Sequence, residues 1–296
     1  MPSARVAAYA KINLALRVLA REAGGYHQLE TLFCRIDLAD DIVVRVSDDD
    51  TRSLECAGAE LGPVEKNLAW RAATAYAQLD RWPRGFTIEI EKRIPVGGGL
   101  GGGSADAGAV LRALNALNPR PLPQHELLAI AGSLGADVPF LTTATPLALA
   151  WGRGERMLAL PALPVRDLAL VLPPLAVDTS EAYGWLAASR SDAGAAAYFP
   201  ALHPLAAVTT WEGALRHSEN DFEPVVFARR PELGEIHARL AELPGVALAR
   251  MSGSGSTLFA LFSEDLELRA VSQATGCKVL ASRTLNEVPL VGVDLG

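Results

Sequence analysis

Apolar and polar residues alternate near the start of the chain, with Ala8, Ala10, Ile12 and Leu14 on one side and Ala7, Tyr9, Lys11 and Asn13 on the other. A period of two predicts a strand whose lysine and asparagine share a face. Gly24 and Gly25 mark a turn, and residues 26–33 carry a second strand pattern. Residues 41–46 read as a strand, and 47–62 as strands and turns with a solvated acidic tip at Asp48, Asp49 and Asp50. From Asn67 the period changes: Leu68, Ala72, Ala75 and Leu79 form a helical stripe that Pro83 and Gly85 end. Alternation returns over residues 86–90 and runs into a glycine loop, after which Ser104 opens an alanine-rich helical stretch to Leu117.

Beyond Pro119 to Pro123, residues 124–134 are predicted helical, and Asp137 follows between Ala136 and Val138 at a helix-to-strand junction. A carboxylate among apolar neighbours needs a partner. Residues 147–151, 157–160 and 167–172 read as strands, and a second unit with its own alternation begins near Leu160. In it Thr179 is placed to cap a helix, and residues 188–206 carry few periodic signals, as a mobile insertion would. Helix 231–243, strand 246–249, a small-residue loop through Ser252, Gly253, Ser254, Gly255 and Ser256, strand 257–262, helix 264–275 and strand 277–282 complete it. This β-α-β-β-α-β order suggests a ferredoxin-like sandwich. The reading is α+β, with an N-terminal domain over 1–158 and a C-terminal domain over 159–296.

Composition narrows the function. The 296 residues are 50% hydrophobic and 21% charged, enough for a sizeable core. A net charge of −7 and no Lys/Arg run argue against nucleic acid or an anionic membrane as partner. The N-terminal apolar segment is broken by Lys11 and Asn13, unlike a signal peptide, so a cytoplasmic protein is expected. Cys34, Cys56 and Cys277 are odd in number and widely spaced, and read as small core residues.

Six of the seven residues from 97 to 103 are glycine. Without Cβ atoms such a loop turns its N–H groups inward, and the following helix adds the positive end of its dipole, which makes a phosphate site. A Walker A loop would place lysine after the last glycine, where this chain has Ser104 and Ala105. A dinucleotide fingerprint fits Gly97, Gly99 and Gly102 almost automatically, but its acid, about 20 residues on, would be Glu126 inside a helical segment. A flexible linker would be polar throughout, whereas this loop has apolar periodic flanks. Taken singly, Lys11 reads as a solvated strand residue, His27 as structural, and Asp106 as an acid stabilised by the helix dipole.

Three blocks taken together resemble the GHMP kinases, the family of galactokinase, homoserine kinase and mevalonate kinase. They are residues 8–14 around Lys11 and Asn13, the glycine loop from Pro95 to Asp106, and residues 251–257 around Gly253 and Gly255. Within the family, Gly25, Tyr26 and His27, the run 134–140 around Asp137, and Thr179 with Tyr183 are most similar to members that act on a cytidine diphosphate-linked methylerythritol in the non-mevalonate route to isoprenoid precursors. This chain departs from their pattern at Ala23 and Gly24, where an aspartate commonly precedes the glycine.

The resemblance implies a two-domain fold, ribosomal-protein-S5-like then ferredoxin-like, and ATP-dependent phosphorylation of a small-molecule hydroxyl with Mg2+ and no obligatory protein partner. It implies Lys11 and Asp137 as catalytic residues. Pro95, Val96, Gly97, Gly98, Gly99, Leu100, Gly101, Gly102, Gly103, Ser104 and Ala105 would cradle the ATP phosphates, and Asn67 and Leu68 would line its adenine pocket. Tyr26 and Tyr183 would sandwich the cytosine, His27 would read its edge, Thr179 would contact the ligand, and Asn13 would bind the methylerythritol or its phosphates. A homoserine or mevalonate type of GHMP kinase is the alternative enzyme, and a nucleotide-binding module without catalysis is the alternative of another class.

Overall fold

The structure is a computed structural model that describes residues 1–21, 27–60, 62–152, 154, 156–192, 208–263 and 267–296. Tyr26 and residues 193–206 of the expected insertion lie outside the described residues. Two sheets organise it. The larger is built on two long antiparallel strands, β1 (Ser3–Arg21) and β2 (His27–Ser47). The second half of β2 pairs with β4 (Gly85–Glu91), which holds β3 (Arg52–Ala57) in parallel; its first half pairs with β5 (Leu147–Gly152), which holds β6 (Arg156–Ala159). A strand from the far end of the chain, β11 (Gly292–Asp294), returns to the outer edge of β1.

The strands expected over 26–33 and 41–46 are thus parts of one strand. The helices α1 (Leu68–Asp80), α2 (Gly102–Leu117) and α3 (Gln124–Leu134) stand where helices were predicted, but α1 buries Ala69, Ala72, Ala73 and Tyr76 and leaves Leu79 of the expected stripe exposed. Residues 138–142 are a short helix, α4 (Val138–Thr142), where a strand was expected. Pro139 explains this, since its fixed φ suits a first helical turn and it cannot donate to a ladder.

The smaller sheet runs β10-β7-β9-β8, with β7 (Asp167–Leu172), β8 (Val246–Met251), β9 (Leu258–Phe262) and β10 (Lys278–Arg283), all neighbours antiparallel. That is the predicted ferredoxin-like order, with extra helices between β7 and β8. Those helices are α5 (Thr179–Asp192), α6 (Trp211–Arg216), α7 (Phe222–Arg229) and α8 (Pro231–Ala241), and α9 (Leu268–Thr275) lies between β9 and β10. Asp178, not Thr179, caps α5: its Oδ1 accepts from the N–H groups of Ser180 and Glu181. The sheet is covered on both faces. Leu168, Leu170, Phe259 and Leu261 join the core of the larger sheet, while Ala169, Val171, Leu258 and Ala260 pack with α5, α7 and α8. Burial on both faces is why β9 is apolar at every position. Cys34 and Cys277 are buried as expected, but Cys56 on β3 is only half-buried. Among the described residues no helix is long and apolar enough to cross a membrane.

Coverage by the second unit also changes β1. Its residues alternate between buried and partly exposed up to Ala10 and are then buried without a break to Val18, because the unit carrying β8 and α7 covers the second face. Lys11 and Asn13 therefore sit at the junction of the two units.

A buried ion cluster holds the glycine loop at both ends. Lys92 Nζ donates to Asp40 Oδ2 and to Asp106 Oδ2, each at 2.6 Å, and all three side chains are almost fully buried. Asp40 Oδ1 also accepts the N–H of Ile94, at the loop's entry, while Asp106 lies on α2 at its exit. Burial and the facing Asp40 charge push the Asp106 carboxyl up to about 7, although Lys92 pulls the other way. Asp106 Oδ1 has no protein partner. The folded protein thus holds this proton to higher pH than the unfolded chain. The group's contribution to stability is complete below about pH 4 and is lost as pH rises through about 7. Relative to an Asp106→Asn variant, which does not titrate, wild type should lose roughly 3 °C or more of melting temperature between pH 4.5 and pH 8. Melting curves of the two proteins that stay parallel across this range would mean that the fold does not shift this carboxyl.

Candidate active site

Register shifts in the β1–β2 ladder flank the two polar residues of β1, one between Tyr9 and Lys11 and one between Asn13 and Ala15. Such bulges bend a strand and re-aim its side chains. Lys11 Nζ donates to Asn13 Oδ1 at 2.8 Å and to Gly99 O at 3.0 Å, and stands 3.4 Å from Asp137 Oδ2. Two hydrogen bonds and one ion pair thus surround the ammonium. The Lys11 side chain is 4% exposed and that of Asp137 30%, so the carboxylate faces the cleft and the lysine lies behind it.

Asp137 occupies the residue before α4, and α4 lies against α2 because residue 108 is glycine. A Cβ on Gly108 would come within 2.6 Å of the Leu141 main chain. Arg35, fully buried on β2, fixes the other end of α4 by donating to Phe140 O at 2.7 Å, Thr143 O at 2.8 Å and Thr145 O at 3.0 Å. Sequence reasoning missed Arg35; its signal was an arginine inside the otherwise apolar run 32–36.

The glycine loop enters α2 at Gly101. The first helical bond runs from Ala105 N–H to Gly101 O at 2.8 Å, so the N–H groups of Gly102, Gly103 and Ser104 have no helical acceptor. Ala105 is different from its neighbours: its N–H is committed and its methyl is buried, so the face toward the cleft ends at Ser104. The small-residue loop after β8 meets the glycine loop from the other unit. Ser252 Oγ donates to Gly99 O at 2.9 Å, and Thr257 N–H donates to Gly98 O at 3.3 Å. The approach is so close that a Cβ on Gly99 would lie 2.1 Å from Ser252 O.

Lys11, Asn13, Leu68, Pro95, the loop from Gly97 to Ser104, Asp137, Thr179 and Tyr183 line one cleft of about 650 Å3. Val96, Asn67 and Lys92 line an adjoining pocket of about 200 Å3, which Leu68 shares. The side-chain oxygen of Asn67 caps α1 by accepting Ala69 N–H. Asn13 is committed as well: its Oδ1 accepts from Lys11 and from Gly253 N–H at 3.0 Å, and its Nδ2 donates to Thr31 Oγ1 at 2.8 Å. Its structure-given task is to hold Lys11.

Thr179 Oγ1 lies 2.9 Å from Ser254 Oγ. The His27 ring stacks on Tyr183 with centroids 4.7 Å apart, and Tyr183 meets Phe222 edge to face at 4.9 Å. Burial, with the Asp137 charge, pushes the Tyr183 hydroxyl up to about 12, so it stays a neutral donor and acceptor. Phe222 was not foreseen, and it lines the cleft beside Tyr183. Among the described residues no group of three or more His, Cys, Asp or Glu is gathered as a metal site.

Two family descriptions match this chain: GHMP kinases N terminal domain over residues 67–144, and GHMP kinases C terminal over 205–278. A protein of Desulfotalea psychrophila named 4-diphosphocytidyl-2-C-methyl-D-erythritol kinase is 38% identical over 277 residues, covering 93% of this chain and 90% of its own. The chain belongs to the GHMP kinase family. A relative of the same name from Parvibaculum lavamentivorans is 39% identical over 266 residues, covering 89% of this chain and 90% of its own. The crystal structure of a 4-(cytidine 5'-diphospho)-2C-methyl-D-erythritol kinase superposes with a TM-score of 0.76 at 36% identity, over 95% of this chain and 98% of that one. Homoserine kinase from Cytophaga hutchinsonii shares the fold at a TM-score of 0.65 and 18% identity, over 99% of this chain and 97% of that one. GHMP kinases use ATP, and the glycine loop fits its phosphates: the cleft is lined by main chain without Cβ atoms at the positive end of α2.

Gly101 tests this fit. It has φ of +72°, and a Cβ there would lie 3.1 Å from Lys11 Cε. Gly101→Val should weaken ATP binding by at least ~100-fold in calorimetric titration and also displace Lys11. The branched residue in a left-handed conformation should in addition lower thermal stability. Unchanged ATP affinity would place the phosphates elsewhere.

Proposed function

We propose that this GHMP kinase transfers the γ-phosphoryl group of ATP to the C2 hydroxyl of 4-diphosphocytidyl-2-C-methyl-D-erythritol, in the non-mevalonate route to isoprenoid precursors. The observation that carries the reading is the meeting in one region of two kinds of group. The Lys11–Asp137 pair beside the glycine loop is what any member needs, and the Tyr183 ring, which lines the same cleft and is stacked on His27, suits a substrate with a flat heterocycle. The relatives named above carry that substrate in their names.

Phosphoryl transfer asks the protein for position and charge balance. The N–H groups of Gly102, Gly103 and Ser104 take phosphate oxygens. Asp137 Oδ2 accepts the proton of the C2 hydroxyl as its oxygen bonds to the γ-phosphorus and the bond to the β-phosphate oxygen breaks, releasing ADP. The Lys11 ammonium, 3.4 Å from that carboxylate, balances charge on the transferring group. Mg2+ would neutralise phosphate charge, and Ser104 Oγ and the Asp137 carboxylate, both in the cleft lining, would hold it. Asn67 and Leu68 flank the adenine in the smaller pocket. Tyr183 gives the cytosine a stacking face, with Tyr26 assigned to the other, His27 supplies polar ring atoms for the base edge, and Thr179 contacts the ligand. Residues 1–158 would thus supply the nucleotide loop and residues 159–296 the facing loop and Tyr183. Both substrates are small phosphate esters, as suits a cytoplasmic enzyme without an obligatory partner.

ADP release measured with a substrate panel tests the reading. The cytidine diphosphate ester should be turned over in preference to its uridine form, homoserine and mevalonate. Better turnover of homoserine or mevalonate would overturn it, and no turnover of any would favour a binding module. Asp137→Ala should lower kcat at least ~100-fold with ATP affinity retained. His27→Ala should lose discrimination between the cytidine and uridine forms, while Tyr183→Ala should weaken both by about 1–3 kcal/mol. Equal loss of discrimination in both variants would remove His27 as the reader of the base.

A further inference from the structure

We propose that Asn220 is a positioning residue for Lys11, acting through Gly253 and Asn13; the proposal rests on the role given to Lys11 above. The chain around Asn220 runs along β1 just past the polar pair. Ser218 Oγ donates to Leu14 O at 2.6 Å, Leu16 N–H donates to Glu219 O at 2.8 Å, and Asp221 N–H donates to Leu16 O at 3.0 Å. The backbone at Asn220 is therefore fixed to the strand that carries Lys11.

Its side chain faces the small-residue loop after β8. Asn220 is 5% exposed, and its two Nδ2 hydrogens go to Met251 O at 2.7 Å and Gly253 O at 2.9 Å, while Oδ1 accepts Phe222 N–H at 2.9 Å. A flipped amide would set an oxygen against two carbonyls, so only one orientation is satisfied. Gly253, at φ +60°, then directs its N–H to Asn13 Oδ1 at 3.0 Å, and that same oxygen receives Lys11 Nζ at 2.8 Å. Three hydrogen bonds in a row thus connect a residue outside the cleft lining to the ammonium beside Asp137.

The effect of changing Asn220 should be local. Met251 N–H is held independently by Glu223 Oε1 at 2.8 Å, so the base of the loop stays anchored. What is released is the Gly253 carbonyl, on the other side of the Cα from the N–H that fixes the acceptor of Lys11. A purely structural residue would lower stability and leave the chemical step alone. A positioning residue lowers kcat and does so only while Lys11 is present.

The experiment is a double-mutant cycle in the full-length enzyme with ATP and the cytidine diphosphate ester. Asn220→Asp, which turns the two donors into an acceptor, should lower kcat ~10–100-fold with both KM values within about 3-fold of wild type. In a Lys11→Ala background the same change should cost less than about 3-fold more, measured in single turnover. Asn220→Ser, which removes the donors without adding charge, should show the same split if the aspartate variant does not fold. Equal losses with and without Lys11, or a raised KM at constant kcat, would overturn the proposal, as would failure of both variants to fold. A Lys11→Ala enzyme as active as wild type would instead remove the role of Lys11 itself, which separates failure of the underlying reading from failure of this one.

Discussion

A buried lysine ammonium must be met on every side, and the site of this protein is built around that demand at Lys11. Taking the charge out of water costs several kcal/mol unless its hydrogens are all accepted. Here three parts of the chain meet it: Asn13 on the same strand and the Gly99 carbonyl in the glycine loop accept hydrogen bonds, and Asp137 before α4 forms an ion pair. Each acceptor is itself held. Asn13 is fixed by Thr31 and Gly253, the loop by Ser252, and α4 by Arg35 and its contact with α2 at Gly108. The ammonium can therefore sit in a single place, which is what transfer chemistry requires of it.

The same logic holds the phosphate cradle. A run of glycines has high conformational freedom, and a cradle must not. The freedom is removed at the ends and in the middle. Lys92 ties the loop's entry, through Asp40, to its exit, through Asp106, while Gly98 and Gly99 bond to the small-residue loop of the other unit. The glycines are needed because two backbones meet there at a distance that no side chain permits. Flexibility of the residue type and rigidity of the loop are compatible, since the constraint comes from outside it.

Much of this was legible in the chain because short patterns carry it. The helical stripes gave α1 and α3 nearly to the residue, the ferredoxin-like order was readable from alternation in the second half, and Lys11, Asp137 and the glycine loop stood out by type. What was not legible depends on contacts between distant segments. Arg35 stands out in its apolar run, but the carbonyls it holds are more than 100 residues away; Phe222 and the Lys92 cluster have no local pattern, and a lysine before a glycine loop reads as solvated until Asp40, 52 residues away, is seen to hold it. Asn13 was expected to bind substrate, and its further bond to Gly253, 240 residues distant, could not be read from the chain. Residues 138–142 misled for the opposite reason: an apolar pentad fits strand or helix, and only Pro139 leans toward the latter.

Homoserine and mevalonate kinases share this fold at 13–18% identity, so the fold by itself does not choose the acceptor. The choice has to come from side chains that reach the cleft from the unit facing the glycine loop. Tyr183 is the one with most contact: it stacks on His27, meets Phe222 edge-on, and feels the Asp137 charge. It lies on α5, whose first residue, Thr179, touches Ser254 in the loop that also fixes Gly253. Ring face, loop and lysine are thus joined by a short series of direct contacts. If Tyr183 takes the substrate's ring as proposed, α5, the small-residue loop and Asn13 are the parts of this series that lie between that ring and Lys11.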